Sequence, residues 1–155
     1  MRSLNGLTQR VVTSVQMLVA VAAVWLGMCA PVAADIAVVV HPSNPLSALS
    51  EDEVRRIFMG RMRMFPESDG AIETVDQQEA STAFADFYQA IARLTPAKLK
   101  RQRASFLFSG KGRLPTALQD DAAVIDFVAS HPDAIGYVDV NRLDARVKSV
   151  LTVNR

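Results

Sequence analysis

Short apolar runs alternate with amphipathic stretches along this chain. Ile36 to Val40 is a continuous apolar run rich in valine, which is typical of a buried strand. Ala71 to Val75 and Ile135 to Val138 are further candidate strands, and Val147 to Val153 alternates apolar and polar residues like a half-exposed strand. Because these strands recur between helical stretches, the pattern indicates an α/β domain.

Three stretches with apolar residues on a helical face predict helices, and an N-cap followed by proline predicts a fourth. Each begins at a residue type whose side chain accepts hydrogen bonds from the free N–H groups of a first helical turn. The predicted helices are Ser50 to Gly60, with Ser50 and Glu53 as a capping box; Ser81 to Arg93; a helix capped by Thr95, with Pro96 at its first position; and a helix from Asp120 or Asp121 to Ala129. Phe106 to Phe108 is predicted to be a short extended piece before an open loop.

The beginning of the chain has the features of an export signal. Its only charged residues up to position 34 are Arg2 and Arg10, and residues 17–30 are uncharged and mostly apolar. A positive start, an apolar run of about 7–15 residues and small residues before the cleavage point describe a secretory signal peptide. Val32 and Ala34 provide those small residues, so cleavage is expected after Ala34.

Cleavage would divide the chain into a signal peptide, residues 1–34, and one exported domain, residues 35–155. Cys29, the only cysteine, would leave with the signal, so the domain would have no disulfide. Export without disulfides suits a bacterial periplasm better than a small cystine-rich secreted protein. The alternative is a retained membrane anchor, because residues 11–34 approach the roughly 20 residues that span a bilayer.

The expected exported domain is nearly neutral. Without Arg2 and Arg10 the chain's 17 basic residues become 15, which against 16 acidic residues gives a net charge of −1. Nucleic-acid binders usually carry a clear basic excess, so no nucleic-acid partner is predicted. The basic residues nevertheless form three clusters, which are either solvated faces or a rim that attracts anions. The clusters are Arg55, Arg56, Arg61 and Arg63; Lys98, Lys100, Arg101 and Arg103; and Lys111 with Arg113.

No pattern in the sequence indicates an enzyme. The two histidines, His41 and His131, each precede a proline and are interpreted as turn residues, without a cysteine partner for a metal. The chain has no Gly-x-Ser-x-Gly nucleophile elbow, and the glycines around Lys111 lack the rest of a phosphate-binding loop. We therefore predict no catalytic residue, no metal site and no cofactor.

Three short segments occur in a fixed order within the expected domain. They are residues 54–60 (Val-Arg-Arg-Ile-Phe-Met-Gly), 110–112 (Gly-Lys-Gly) and 134–138 (Ala-Ile-Gly-Tyr-Val). In order and spacing they resemble the second lobe of phosphate-type periplasmic solute-binding proteins, and the resemblance extends from Ile36 to the end of the chain. It implies one lobe of a type 2 periplasmic-binding-protein-like fold, with a mixed sheet flanked by helices.

The resemblance also implies where a solute would bind. In this family a loop after the second strand carries an arginine and then a Ser-Gly-Thr run at the start of a helix, where free N–H groups and the helix dipole favour an oxyanion. Aligned on Phe84, the threonine falls on Thr82, the glycine on Ser81 and the arginine on or near Asp76. A carboxylate at position 76 would repel a phosphate dianion.

Six residues are the resulting candidates for ligand binding: Asp76, Gln77, Gln78, Ser81, Thr82 and Lys111. Ser81 and Thr82 would donate hydrogen bonds, Gln77 and Gln78 offer neutral amide donors, and Lys111 would supply charge. Each has an alternative interpretation without a ligand. The two hydroxyl residues are then ordinary helix caps, the carboxylate of Asp76 accepts from nearby N–H groups in a turn, and the lysine is solvated.

By resemblance, we expect an exported protein that binds an anionic or polar solute, with phosphate among the candidates, for a transporter or an envelope sensor. The resemblance covers only the second lobe of the family, whereas solutes of this kind are normally enclosed between two lobes. The alternative is therefore a partner-binding or sensory accessory module that has lost solute binding. Such a module would dock onto an envelope protein or onto a second copy of itself.

Overall fold

The valine-rich run at the start of the expected domain is a strand, as predicted. A computed structural model describes residues 35–66, 70–110 and 113–154. Within these residues the chain forms one sheet of five strands. The strands are β1 (Ile36–Val40), β2 (Glu73–Gln77), β3 (Thr116–Leu118), β4 (Ala134–Asp139) and β5 (Lys148–Val153).

The sheet is mixed, as the resemblance implied. Its strands lie in the order β3-β2-β4-β1-β5. Strand β2 runs parallel to β3 and β4, whereas β1 runs antiparallel to β4 and β5. The first and last strands are therefore neighbours, and Ile36 lies opposite Val153.

Helices begin where the sequence predicts caps. The α-helices of the described ranges are α1 (Glu51–Phe58), α2 (Thr82–Ala92), α3 (Pro96–Phe108) and α4 (Asp121–Ser130), and a 3-10 helix (Val140–Arg142) follows β4. Ser50 and Glu53 form the predicted capping box, while Thr95 and Asp120 accept hydrogen bonds from the first turns of α3 and α4. Helix α1 ends just before Gly60, whose φ of 71° suits glycine at a helix end.

The helices cover both faces of the sheet, and the sheet divides the apolar core in two. On one face α1 and α2 pack large side chains against the sheet, among them Phe58, Phe84, Phe87 and Tyr88. The ring of Phe87 stacks on that of Tyr137 from β4, with 3.9 Å between centroids. On the other face α4 packs against smaller residues, which include Val39, Val75 and Val138.

Gly136 in β4 allows α4 to lie close to the sheet. A Cβ atom added at this position would lie 2.6 Å from Cγ1 of Val124 in α4 and 2.8 Å from Cγ2 of Val75 in β2. Interiors are packed too densely to absorb such contacts without a shift of the backbone. The spacing between α4 and the sheet therefore depends on glycine at this position.

The second strand lies two residues further along the chain than predicted. The amide N of Ile72 donates to the carbonyl O of Arg63 at 2.8 Å, and Ala71 bridges Met64, so this part pairs with the preceding segment. Pairing with β4 starts only at Glu73. At its other end the strand continues through Gln77, because β3 pairs with it there. The loop that we expected to begin at Asp76 therefore begins after Gln77.

The prediction of an extended piece at Phe106 to Phe108 is wrong, because these residues form the last turn of α3. The helix continues because Leu99, Arg103 and Phe106 recur on one side of it, and the first two of these contact the protein interior. Strand β3 was not predicted at all. It has only three residues and no apolar pattern, so its position depends on pairing with β2.

No helix within the described ranges is both long enough and apolar enough to cross a membrane. The predicted signal peptide, residues 1–34, lies outside the described residues. Its cleavage and the alternative of a retained anchor therefore stay predictions.

Candidate functional site

The carboxyl ends of the parallel strands meet at one edge of the sheet. The chain leaves β2 towards α2 on one face and leaves β3 towards α4 on the other face. Where neighbouring parallel strands send the chain to opposite faces, a crevice opens between them, and ligands of open α/β sheets commonly bind there. Here the crevice is a depression of about 430 Å³, which we call the edge depression.

Four predicted ligand-binding residues lie together in the edge depression: Gln77, Gln78, Ser81 and Thr82. Ser81 is the N-cap of α2, but its side chain makes no capping hydrogen bond; its Oγ donates instead to Oε1 of Gln77 at 2.7 Å. Gln77 is buried, and its Nε2 donates to Oδ1 of Asp121 at 2.6 Å. The exposed side chains of Gln78 and Thr82 are therefore the predicted donors best placed to meet a solute.

Three carboxylates line the same depression, from Asp120, Asp121 and Asp139. Asp120 accepts from the amide N of Ala123 at 2.9 Å, and Asp121 accepts from the amide N of Asp139 at 3.2 Å. Among the described residues, no lysine or arginine lines the edge depression. The electrostatic potential in the depression is therefore negative. Such a potential opposes a phosphate dianion and favours a solute with a neutral or positively charged group.

Asp76 does not line the edge depression. It is 1% exposed in β2, and its carboxylate accepts hydrogen bonds from four groups. Oδ2 accepts from the hydroxyl of Tyr88 at 2.8 Å and from Nη2 of Arg103 at 2.5 Å. Oδ1 accepts from the amide N of Gln77 at 3.0 Å and from the hydroxyl of Tyr137. Four donors suit an ionised carboxylate, which can only accept, and they occupy the oxygens that a solute would need.

Arg103 brings a positive charge to position 76 from a different element. Its guanidinium lies over the ring of Tyr88, with 4.9 Å to the centroid, and beside that of Phe84, with 5.5 Å. In the sequence Arg103 belongs to a basic cluster that was open to interpretation as a solvated face. Helical spacing could have identified it, because Arg103 follows the buried Leu99 by one turn and therefore shares its inward side.

Both tyrosines of the chain belong to this network. Burial raises the pKa of Tyr88 well above its ordinary value, and the charge of Asp76 raises it further. Burial and then Asp76 likewise raise the pKa of Tyr137. Burial lowers the pKa of Arg103, but Tyr88 and Asp76 together raise it by more. The two phenols therefore stay neutral around the charged pair of Asp76 and Arg103, and the network has a structural role.

The last predicted ligand-binding residue, Lys111, lies outside the described residues. Its role stays a prediction. Within the described part of the chain, no group of three or more histidine, cysteine, aspartate or glutamate side chains could hold a metal ion.

Comparison with known proteins identifies the fold. No protein-family model and no curated protein matches the sequence. Solved structures do match: an ABC-type phosphate transport receptor from Vibrio cholerae has a TM-score of 0.62 at 16% identity, over 76% of this chain and 45% of that one. A proposed phosphate ABC transporter substrate-binding protein from Clostridium perfringens, with bound phosphate, has a TM-score of 0.61 at 18% identity, over 76% and 44%. PstS from Borrelia burgdorferi has a TM-score of 0.59 at 12% identity, over 76% and 46%.

These identities are too low to transfer a ligand or a binding residue, and they show the fold alone. The matched part of the chain spans less than half the length of each of these proteins. The sequence motifs implied a mixed sheet flanked by helices, and the described residues form such a sheet with five strands. The described residues therefore have the fold of one lobe of a phosphate-type periplasmic binding protein.

Proposed function

We propose that this protein is an exported, non-enzymatic solute-binding protein of the periplasm, comparable in role to the substrate-binding component of a phosphate ABC transporter. The observation that carries the proposal is the edge depression, where four predicted ligand-binding residues meet at the carboxyl ends of β2, β3 and β4. The structural neighbours support a binding role, because they are described as a phosphate transport receptor and a substrate-binding protein.

The chemistry of the edge depression narrows the class of solute. Gln78 and Thr82 present neutral donors at the N-terminus of α2, where an anionic group would be favoured. The three aspartates, at the start of α4 and the end of β4, favour a positive group. A small zwitterion, with a carboxylate towards α2 and an ammonium group towards the aspartates, satisfies both sides. Phosphate stays a candidate because of the fold, although the three aspartates would repel its negative charge.

Thermal unfolding of the protein tests the proposal. The panel contains phosphate, sulfate, molybdate and small carboxylates on one side, and amino acids such as glycine and serine on the other. A solute at about 100 times its Kd adds about 2.7 kcal/mol to the free energy of unfolding. We expect a concentration-dependent rise in Tm with an amino acid. A flat response to every solute at millimolar concentrations would contradict solute binding.

A variant of Thr82 tests the position of the site. Thr82→Val removes the hydroxyl group from the first residue of α2 and keeps the side-chain shape. Loss of one hydrogen bond should weaken binding by about threefold to tenfold in calorimetry. Thr152→Val, in β5 and also exposed, is the matched control and should leave the affinity unchanged. An unchanged Kd in Thr82→Val would show that this helix start is not part of the site.

The second candidate function is a partner-binding or sensory accessory module. Phe108 favours it, because this side chain is 92% exposed at the end of α3, where Leu107 is also exposed. Neighbouring apolar side chains in water gain free energy when another protein covers them. The partner would be an envelope protein, a transporter component or a second copy of the chain. Sedimentation velocity over a range of concentrations tests the last of these, since a second copy predicts a rising sedimentation coefficient.

A further inference from the structure

A second cavity shares no lining residue with the edge depression. It is bordered by the C-terminal end of α1, by the last turns of α3 and by residues 113–115, which lead into β3. Its volume is about 250 Å³. We call it the α1–α3 cavity. Because it lies before the start of β3 and the edge depression lies beyond its end, the two are separate sites.

Each of the three basic clusters of the sequence contributes one arginine to the α1–α3 cavity: Arg61, Arg103 and Arg113. Among the described residues, no aspartate or glutamate lines this cavity. Arg61 and Arg113 also form no ion pair with any described residue. Three segments that are distant in the sequence thus direct positive charge to one concave surface, which favours an anion.

Arg103 is held in position before any ligand binds. Its Nη2 donates to Oδ2 of Asp76 and to the hydroxyl of Tyr88, each at 2.5 Å. Within the described part of the chain, its Nη1 and Nε groups donate to no protein acceptor, so they remain available to a carboxylate. A guanidinium that is already ordered loses little conformational entropy on binding.

Gln102, Ser105 and Ser109 add polar groups to the lining of the cavity. Phe58, Phe106 and Leu114 form apolar walls beside them. Gly60 lets the ring of Phe106 lie directly on the backbone, since a Cβ atom at Gly60 would be 2.8 Å from Cε1 of that ring. An inorganic anion would leave these walls unused, whereas an apolar group would gain free energy by covering them. The cavity is also slightly smaller than the roughly 300–1,000 Å³ of typical drug-sized sites.

We propose that the α1–α3 cavity binds a small organic monoanion in which a carboxylate is attached to an aromatic or branched apolar group. The carboxylate lies among Arg61, Arg103 and Arg113, and the apolar group lies against Phe58 and Phe106. This site goes beyond the proposed solute site, and neither depends on the other.

Calorimetric titration of the full chain with benzoate tests the proposal, with benzyl alcohol and inorganic phosphate as the two control ligands. Benzyl alcohol keeps the ring without the charge, and phosphate keeps the charge without the ring. We expect saturable benzoate binding and at least about tenfold weaker binding of either control, since charged hydrogen bonds and apolar contact both contribute. Equal binding of benzoate and benzyl alcohol, or of benzoate and phosphate, overturns the proposal. So does the absence of saturation up to about 20 mM benzoate.

Variants of the exposed arginines locate the site. Arg61→Gln and Arg113→Gln should each raise the Kd for benzoate about fivefold, because each removes a charged contact at a partly solvated position. Arg101→Gln is the matched control, because Arg101 is exposed on α3 and does not line the cavity. An unchanged Kd in both cavity variants overturns the proposal.

Two further measurements separate this proposal from solute binding at the edge depression. Thr82→Val should leave the Kd for benzoate unchanged, and a raised Kd would place benzoate in the edge depression instead. In the unaltered protein, benzoate should shift the NMR amide signal of Gly60, which lines the cavity, and not that of Gly136, which does not. The opposite pattern overturns the proposal even if an arginine variant fails to fold.

Discussion

The neighbours of Asp76 decide its chemical role. The resemblance in the sequence places on or near Asp76 a position where phosphate-type binding proteins carry an arginine, which suggests a solute site with the wrong charge. In the folded chain Arg103 pairs with this carboxylate, and Tyr88 and Tyr137 complete its hydrogen bonds. The carboxylate of Asp76 is almost fully removed from water and the side chain of Arg103 largely so, with exposures of 2% and 15%. The hydrogen bonds to Asp76 therefore link α2, α3 and β4 to β2.

Replacing one member of this pair should be costly. Asp76→Asn should lower the free energy of unfolding by about 3–5 kcal/mol, because Arg103 then keeps a largely buried charge without a counter-ion. The double variant Asp76→Asn with Arg103→Met should recover much of the loss, since no buried charge remains. Urea unfolding measures both. If the two single losses simply add in the double variant, the side chains are not coupled.

The raised pKa values of Tyr88 and Tyr137 predict a loss of stability in alkali. Above about pH 10 the unfolded chain releases its phenolic protons while the folded chain keeps them. The free energy of unfolding should therefore fall with rising pH, by up to about 1.4 kcal/mol per pH unit for each tyrosine. Urea unfolding at a series of pH values measures how steeply the free energy of unfolding falls with pH. Tyr88→Phe should remove about half of the part of this slope that the two tyrosines contribute. Phenolate absorbance that appears before the chain unfolds would contradict the prediction.

At the scale of elements, local chemistry predicts some features well and misses others. The caps at Ser50 and Thr95 were predictable, and that of α4 was narrowed to Asp120 or Asp121, because a cap depends only on the next three residues. Strand β2 was placed too early because Asp76 and Gln77 are polar, and their burial depends on partners from other elements. The four clustered residues of the edge depression followed from the family resemblance. The α1–α3 cavity did not, because no sequence pattern joins its three arginines.

The contact between α4 and the sheet gives a prediction at the same scale. Gly136→Ala should lower the free energy of unfolding by about 1–3 kcal/mol, because the added methyl group overpacks against Val124 and Val75. The control is the same substitution in a Val124→Ala background, where the removed methyl groups leave space. There Gly136→Ala should cost clearly less in urea unfolding. An equal cost in both backgrounds would show that α4 does not limit this position.

At the scale of the whole molecule, the two candidate sites have opposite charge. The edge depression is lined by three aspartates, whereas the α1–α3 cavity is lined by three arginines. The near-neutral total charge of residues 35–155 therefore conceals two sites that are lined by charges of opposite sign. Fields of this kind orient charged ligands during approach, and salt screens them. Binding at either site should therefore weaken as ionic strength rises.

Export gives a prediction for the intact protein. Cleavage after Ala34 would remove residues 1–34, including Trp25, the only tryptophan. A periplasmic extract of expressing bacteria should then contain a protein that begins at Asp35 and shows no tryptophan fluorescence. Intact mass and N-terminal sequencing measure this directly, and Ala34→Arg should block cleavage as the matched control. A membrane-bound protein of full mass would instead indicate the retained anchor.

Strands β1 and β5 pair like the two strands of a β-hairpin, although no turn joins them. They are antiparallel neighbours, yet the paired residues Ile36 and Val153 stand at opposite ends of the described chain. A few flexible residues could therefore join the two ends without bending the sheet. The domain could then be cut open at a surface loop and still fold, or be inserted as a unit into another protein, because chain entry and exit coincide.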